Sequence, residues 1–90
     1  MQTSEIRAAF RRVYNGKQNF LTPTIVDFGK RGAHLFEIST GTGINRQPIY
    51  GVTVITVRGD KCPDHNGCFD SLEAAYAHAR ALPRAATVQQ

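Results

Sequence analysis

The most informative stretch of this sequence is PIYGVTVITV, residues 48–57. Nearly every position holds a β-branched or aromatic residue, the types that suit a pleated, buried surface. Turn-forming residues lie on both sides, with Pro48 at the start and Gly59 and Asp60 after the end. The stretch therefore predicts one β-strand, and the other elements can be placed around it.

Both faces of this strand are partly apolar, because successive side chains of a strand point in opposite directions. One face holds Tyr50, Val52 and Val54 and is expected to pack against the helices. The other face is formed by Ile49, Ile55 and Val57. A face this apolar is not expected to stay in water, so we predict that these three residues form an interface with a protein partner or with a second copy of the chain.

Two amphipathic helices flank the strands. Over residues 4–14 the apolar residues recur with helical spacing, Thr3 or Ser4 can cap the start, and residues 15–16, Asn-Gly, favour a left-handed stop. The second helix is predicted to begin at Asp70, as a cap followed three residues later by Glu73, and to end at Pro83.

Two further strands are predicted over residues 20–28 and 33–40, joined as a hairpin by residues 29–32. Lys30 and Arg31 would form an exposed basic tip on this hairpin. Residues 41–47 are rich in glycine but precede a strand, so they are interpreted as a plain loop and not as a phosphate cradle, which needs a helix N-terminus. Residues 60–68 are interpreted as a polar loop.

The fold class that follows is α+β: a helix, a three-stranded antiparallel sheet and a helix (αβββα), with both helices packed on one face of the sheet. Residues 1–83 would form a single compact domain, and residues 84–90 a flexible C-terminal tail. The predicted core residues are Ile6, Phe10, Val13, Phe36, Ile38, Val52, Val54, Leu72, Tyr76 and Leu82.

Composition narrows the class of protein. Ninety residues with 41% hydrophobic and 20% charged residues are ordinary for a globular domain and argue against disorder. No run approaches eighteen apolar residues, and the first residues lack a basic start followed by an apolar segment. We therefore expect a cytoplasmic protein with no membrane partner.

The net charge of +4 is concentrated in the first half of the chain. Residues 1–50 carry seven Lys or Arg residues against three acidic ones, whereas residues 51–90 carry four of each. Such an asymmetry is typical of proteins that contact nucleic acid or an acidic protein surface. The predicted binding residues are Arg7, Arg11, Arg12, Lys17, Lys30, Arg31 and Arg46.

The heptapeptide CPDHNGC, residues 62–68, brings two thiols and an imidazole together in sequence. Cys62, His65 and Cys68 are weak candidates for zinc ligands, with His34 or His78 as a fourth. Structural zinc sites usually combine two separated ligand pairs, which this chain lacks, so we predict no metal and no cofactor. Free thiols are favoured over a disulfide because no secretory signal is recognised.

The same residues place a cysteine beside a histidine, the minimum for nucleophilic catalysis. A catalytic cysteine also needs an orienting third group and donors for the oxyanion, and the sequence indicates neither. We therefore predict that the protein is not an enzyme.

The element order and the residues Gly32, Ala33, His34 and Phe36 resemble the Gly-Pro-x-His loop and following strand of double-stranded-RNA-binding domains. The chain departs from that family where Ala33 replaces the proline of the loop. It also carries Asp70 and Glu73 where the family has lysines that hold phosphates. The resemblance implies an RNA-binding α+β domain, but the motif does not assign the chain to the family.

Together these features predict a small, non-enzymatic binding module whose basic first helix and hairpin tip contact nucleic acid or another polyanionic surface. The alternative is a protein-interaction or regulatory module without a nucleic-acid role. Such a module would bind a partner, or form a homodimer, through the exposed sheet face.

Overall fold

The computed structural model describes residues 1–15 and 24–86. The helices are α1 (Thr3–Tyr14) and α2 (Leu72–Arg80), and the strands are β1 (Thr24–Arg31), β2 (His34–Thr42), β3 (Pro48–Thr56) and β4 (Gly67–Phe69). The strands form one antiparallel sheet in the order β1-β2-β3-β4. The predicted α+β class is confirmed, whereas residues 20–23 of the predicted first strand lie outside the described residues.

The sheet has four strands where three were predicted. β4 begins at the end of the predicted polar loop and extends one residue beyond it, pairing Gly67 with Val52 and Phe69 with Tyr50. A short 3₁₀ turn, Pro63–His65, precedes it. Three residues are too few for an alternating pattern to stand out, which is why the sequence did not indicate this strand.

The two helices pack on opposite faces of the sheet, so the prediction that both lie on one face was wrong. α1 packs against Leu35 and Ile55, whereas α2 packs against Phe36 and Val54. Leu35 and Phe36 are adjacent in β2 and therefore point to opposite faces. We call the side with Leu35 and Ile55 the α1 face and the side with Phe36 and Val54 the α2 face.

All ten predicted core residues are buried or half-buried. Six of them are buried: Ile6, Phe10, Ile38, Val52, Val54 and Leu82. The other four, Val13, Phe36, Leu72 and Tyr76, are half-buried and pack against the buried ones. The apolar periodicity identified a buried side of both helices, of β2 and of β3, although it could not say which helix covers which face.

The helix ends differ from the prediction by one or two residues. α1 begins at Thr3, and the backbone N–H of Gln2 donates to Glu5 Oε1 over 3.1 Å. Its predicted left-handed stop is present at Asn15, with φ 51°. α2 is capped by Ser71, whose Oγ accepts from the N–H of Ala74 over 3.1 Å, and not by Asp70 as predicted.

The β1–β2 turn is tighter than predicted. β1 runs to Arg31 and β2 starts at His34, so Gly32 and Ala33 alone make the turn. Gly32 adopts φ +59°, a left-handed conformation that glycine adopts without strain. Lys30 and Arg31 therefore lie at the end of a strand, and only Lys30 is exposed.

The predicted domain boundary at residue 83 falls beside a backbone contact. The carbonyl oxygen of Arg84 accepts a hydrogen bond from the N–H of Ala33 over 2.7 Å. Packing onto the domain thus continues to Arg84. Residues 87–90 of the predicted tail lie outside the described residues.

Candidate polyanion-binding surface

Three arginines occupy the solvent side of α1. Arg7, Arg11 and Arg12 are all exposed, while Ile6 and Phe10 on the opposite side are buried. A helix turns by about 100° per residue, so the three guanidinium groups spread over an arc of about 140°. They form a broad basic surface and not a single pocket.

Arg7 is held near β1 by an aromatic contact. Its guanidinium carbon lies 5.7 Å from the centroid of the Phe28 ring, within the range of a cation–π interaction. This contact leaves the planar nitrogens at the surface, where they can still donate hydrogen bonds.

Two of the predicted binding residues do not join this surface. Arg31 is half-buried, and its Nε donates to the carbonyl oxygen of Leu82 over 2.8 Å. Arg46 lies in the connection between β2 and β3, at the end of the sheet opposite to Lys30. The nine residues of β2 separate the two ends by about 26 Å, or eight steps of about 3.3 Å. Lys17 lies outside the described residues.

The fold adds three cations that the sequence analysis did not select: Arg58, Lys61 and Arg84. The N–H of Val57 donates to the carbonyl oxygen of Ala33 over 2.9 Å, and the N–H of Ala33 donates to Arg84. These bonds bring the segment after β3 and the segment after α2 to the β1–β2 turn. We call this end of the sheet the basic end; its cations are Lys30, Arg31, Arg58, Lys61 and Arg84.

The basic end also contains two carboxylates. Asp60 is engaged locally: its N–H donates to Thr56 Oγ1 over 3.0 Å, and the Thr56 hydroxyl donates to Asp60 Oδ2 over 3.3 Å. Asp64 is exposed. Five cations against two carboxylates leave an excess of positive charge. The sequence could not have shown that this charge gathers at one end of the sheet, because the residues come from three separate segments.

A cavity of about 660 Å³ opens beside the basic end. Its lining includes Arg58, Asp60, Cys62, His65 and Ala86. Burial, and then the charges of Asp60 and of Asp64, raise the pKa of the Cys62 thiol. A thiol that stays protonated is a poor nucleophile and a poor metal ligand.

The weak zinc candidates are not brought together. Cys62 packs with the α2 face, whereas Cys68 in β4 pairs with Gly51 and points to the other face. Both cysteines are free thiols. Within residues 1–15 and 24–86, no three His, Cys, Asp or Glu side chains are placed to hold a metal ion.

The three histidines have structural contacts instead. His34 Nδ1–H donates to the carbonyl oxygen of Pro83 over 2.6 Å, and His78 Nε2–H donates to that of His65 over 2.6 Å. The rings of His34 and His65 meet edge to face, with centroids 5.2 Å apart. These contacts join the 3₁₀ turn, α2 and the segment after it.

The predicted protein interface is divided between the core and the surface. Ile55 is 0% exposed because α1 covers it, Ile49 is half-buried, and Val57 lies just beyond β3 with 42% of its surface exposed. The chain's own first helix thus covers the second face of β3 at Ile55, but not at Val57. Alternation alone cannot distinguish cover by a helix of the same chain from cover by a partner.

One of the two edge strands, β1, is also protected. A register shift between Ile25 and Asp27 marks a β-bulge, and Asp27 Oδ1 accepts a hydrogen bond from the N–H of Phe28 over 2.8 Å. The exposed Lys30 adds a charge to the same strand. Bulges, charges and occupied backbone donors all disfavour the addition of another strand.

A buried carboxylate, Glu37, lies on the α1 face. It is 1% exposed, and burial raises its pKa to about 7. Thr53 is directly opposite on β3 and is also buried. The sequence correctly placed Glu37 on the side of β2 that holds Leu35, but it carried no sign that this position would be covered.

No protein-family model matches the chain, and neither does any curated protein or any solved structure. Neither of the described helices is long and apolar enough to cross a membrane.

Proposed function

We propose that this protein is a small, non-enzymatic binding module that contacts a polyanion, with nucleic acid as the first candidate. The observation that carries the proposal is the clustering of Lys30, Arg58, Lys61 and Arg84 at one end of the sheet, next to a helix with exposed arginines. Exposed cations from several segments can contact successive phosphates, which supplies affinity without reading sequence.

The described aromatic rings favour a backbone-binding mode over stacking on bases. Single-stranded nucleic acid is commonly held on exposed aromatic side chains. Among the described residues, every Phe and Tyr is buried or half-buried. Contacts through arginine and lysine to a duplex backbone suit this surface better, because they need only charge and hydrogen-bond donors.

The first experiment measures binding and its dependence on salt. Fluorescence anisotropy with a mixed-sequence duplex of about 20 base pairs is followed between about 50 and 200 mM salt, with a single strand and polyglutamate as further probes. With three to five phosphate contacts, the slope of log K against log salt should be about −3 to −4.5 for the duplex. Polyglutamate stands in for an acidic protein surface, because such a partner would contact the same cations of this chain.

Matched variants locate the surface. The double variant Arg11→Gln with Arg12→Gln should weaken duplex binding at least fivefold and reduce the salt slope by about 2. Arg46→Gln removes an exposed arginine at the other end of the sheet and should change neither quantity. Equal losses for both variants would show that only net charge matters. No binding of any probe at about 50 mM salt would remove the proposal.

Self-association through the sheet face is not carried forward as a second function. Its central residue, Ile55, is buried beneath α1. The longer edge strand, β1, bears a bulge and an occupied N–H at Phe28. No observation on the described residues favours a homodimer over a monomer.

A further inference from the structure

The segment after α2 lies against the β1–β2 turn and is held there by three consecutive carbonyl groups. The carbonyl oxygen of Leu82 accepts from Arg31 Nε over 2.8 Å, that of Pro83 accepts from His34 Nδ1 over 2.6 Å, and that of Arg84 accepts from the N–H of Ala33 over 2.7 Å. We call residues 82–84 the C-terminal strap.

The strap and the turn are in direct backbone contact. A Cβ atom built on Gly32 would lie 2.2 Å from the carbonyl oxygen of Arg84 and 2.6 Å from its Cα. Only a glycine permits this approach. Leu82 anchors one end of the strap in the α2-face core, and two residues beyond Arg84 the chain lines the cavity at Ala86.

The docked strap restricts what Arg31 can do. An arginine binds phosphate most strongly when two of its N–H groups donate in parallel, and one of the two available forks uses Nε. Here Nε is occupied by Leu82, and the side chain is half-buried. Arg31 is therefore withheld from side-on phosphate contact, although it lies among the exposed cations of the basic end.

We propose that the C-terminal strap regulates the basic end: while it is docked it restrains Arg31, and when it undocks Arg31 becomes a further contact for the polyanion. This inference rests on the proposed function and deepens it. Because binding and undocking would be linked, the polyanion must also favour the undocked strap.

Two glycines provide a matched pair of variants. Gly32→Ala places a Cβ into the backbone of Arg84, whereas Gly59→Ala sits at a comparably left-handed φ of +95° with its nearest neighbour, Val13 Cγ2, at 3.6 Å. Both variants introduce backbone strain, but only the first collides with the strap. Undocking is measured by hydrogen exchange at the Ala33 amide, whose acceptor belongs to the strap.

We expect Gly32→Ala to accelerate exchange at Ala33 and to tighten duplex binding about threefold or more. Because Arg84 stays tethered two residues beyond the buried Leu82, it remains within reach of the same phosphates. The salt slope should therefore steepen by about 1, the contribution of the added Arg31 contact. Gly59→Ala should change none of these. Adding Arg31→Gln to Gly32→Ala should abolish the gain. In the wild type, duplex DNA should accelerate exchange at Ala33.

A second variant covers the case in which Gly32→Ala fails to fold. His34→Phe keeps an aromatic ring at this buried position but removes the donor to Pro83. It should show the same faster exchange and tighter binding.

The outcomes separate the two proposals. If the variants free the Ala33 amide without changing affinity or slope, the regulatory role is overturned while the proposed function stands. If no folded variant frees that amide, the strap does not act as a separable element and the inference is equally overturned. If the wild type binds no polyanion, the proposed function falls, and the regulatory role that rests on it falls with it.

Discussion

The two faces of the sheet are each covered by one helix, yet their interiors differ. The α2 face is apolar at its centre, where Ile38, Val52 and Val54 pack against Ala75 and Leu82; its buried polar residues, His34 and Thr56, lie at the end next to the β1–β2 turn. The α1 face combines an apolar end, formed around Phe10, Leu35 and Ile55, with buried polar side chains. Those polar residues are Glu37, Ser39 and Thr53.

The difference shows that the two faces stabilise the fold in different ways. Burial of the apolar centre of the α2 face contributes through area removed from water, which depends little on pH. The α1 face contains a carboxyl group whose pKa is raised to about 7, so its contribution changes near neutral pH. α1, the helix with the exposed arginines, therefore packs on the face that holds this carboxyl group.

The largest expected effect tests whether the apolar end of the α1 face holds that helix. Phe10 is fully buried, and its ring centroid lies 5.8 Å from that of Phe28. Phe10→Ala should lower the free energy of unfolding by about 3–5 kcal/mol. The total free energy of unfolding expected for a chain of this length is only about 5–13 kcal/mol. Urea unfolding followed by circular dichroism measures the loss.

Ile38→Val makes the comparison on the α2 face and should lower the free energy of unfolding by about 0.5–1.5 kcal/mol. A loss below about 1 kcal/mol for Phe10→Ala would show that α1 contributes little to the core.

The next effect concerns Glu37 and pH. Its pKa rises from an ordinary value of 4.5 to about 7 on folding, so between these values the folded chain binds more protons than the unfolded chain. Stability must then fall as pH rises from about 4.5 to 7, by about 1–3 kcal/mol. Glu37→Gln should remove this part of the pH dependence and stabilise the protein at pH 8.

The measurement is urea unfolding of both proteins at several pH values, and the difference between the two curves isolates Glu37 from the histidines. Glu73→Gln, on the exposed side of α2, controls for the loss of a carboxylate as such. Parallel curves for wild type and Glu37→Gln would contradict the assignment of a raised pKa.

A smaller effect tests the start of α2. Ser71→Ala removes the hydroxyl that accepts from Ala74 and should cost about 1 kcal/mol. Asp70→Ala should stay within about 0.5 kcal/mol, because Asp70 is exposed and precedes the cap. Thermal unfolding of the two variants side by side decides between the cap in the structure and the one that the sequence indicated.

The smallest effect returns to the polar part of the α1 face. Ser39 Oγ is buried and makes no hydrogen bond to any described part of the chain. Burying a hydroxyl without a partner is unfavourable, so Ser39→Ala should be neutral or should stabilise by up to about 1 kcal/mol. Chemical denaturation measures it, and a loss above about 1 kcal/mol would mean that the hydroxyl has an acceptor or donor after all.

Much of the fold was predictable because it follows from local patterns. The stripe containing Ile6 and Phe10 indicated which side of α1 is buried, and this was confirmed. The two apolar faces of β3 were assigned to the helices and to a partner, whereas α1 covers the second face at Ile55. The missing strand β4 is too short for such a pattern. The site was less predictable, because Arg31 and Arg46 look equivalent to Lys30 in the sequence but differ in burial and position.

The sequence by itself determined the elements of this protein: one long apolar strand, a hairpin beside it and two amphipathic helices. Each depends on side chains a few residues apart, and that spacing sets which of them share a face. Only the tertiary structure decided which helix covers which face, that Ile55 is covered from within, and that Arg58 and Arg84 join Lys30. Such arrangements depend on hydrogen bonds between distant segments, as at Ala33, and no local periodicity records them.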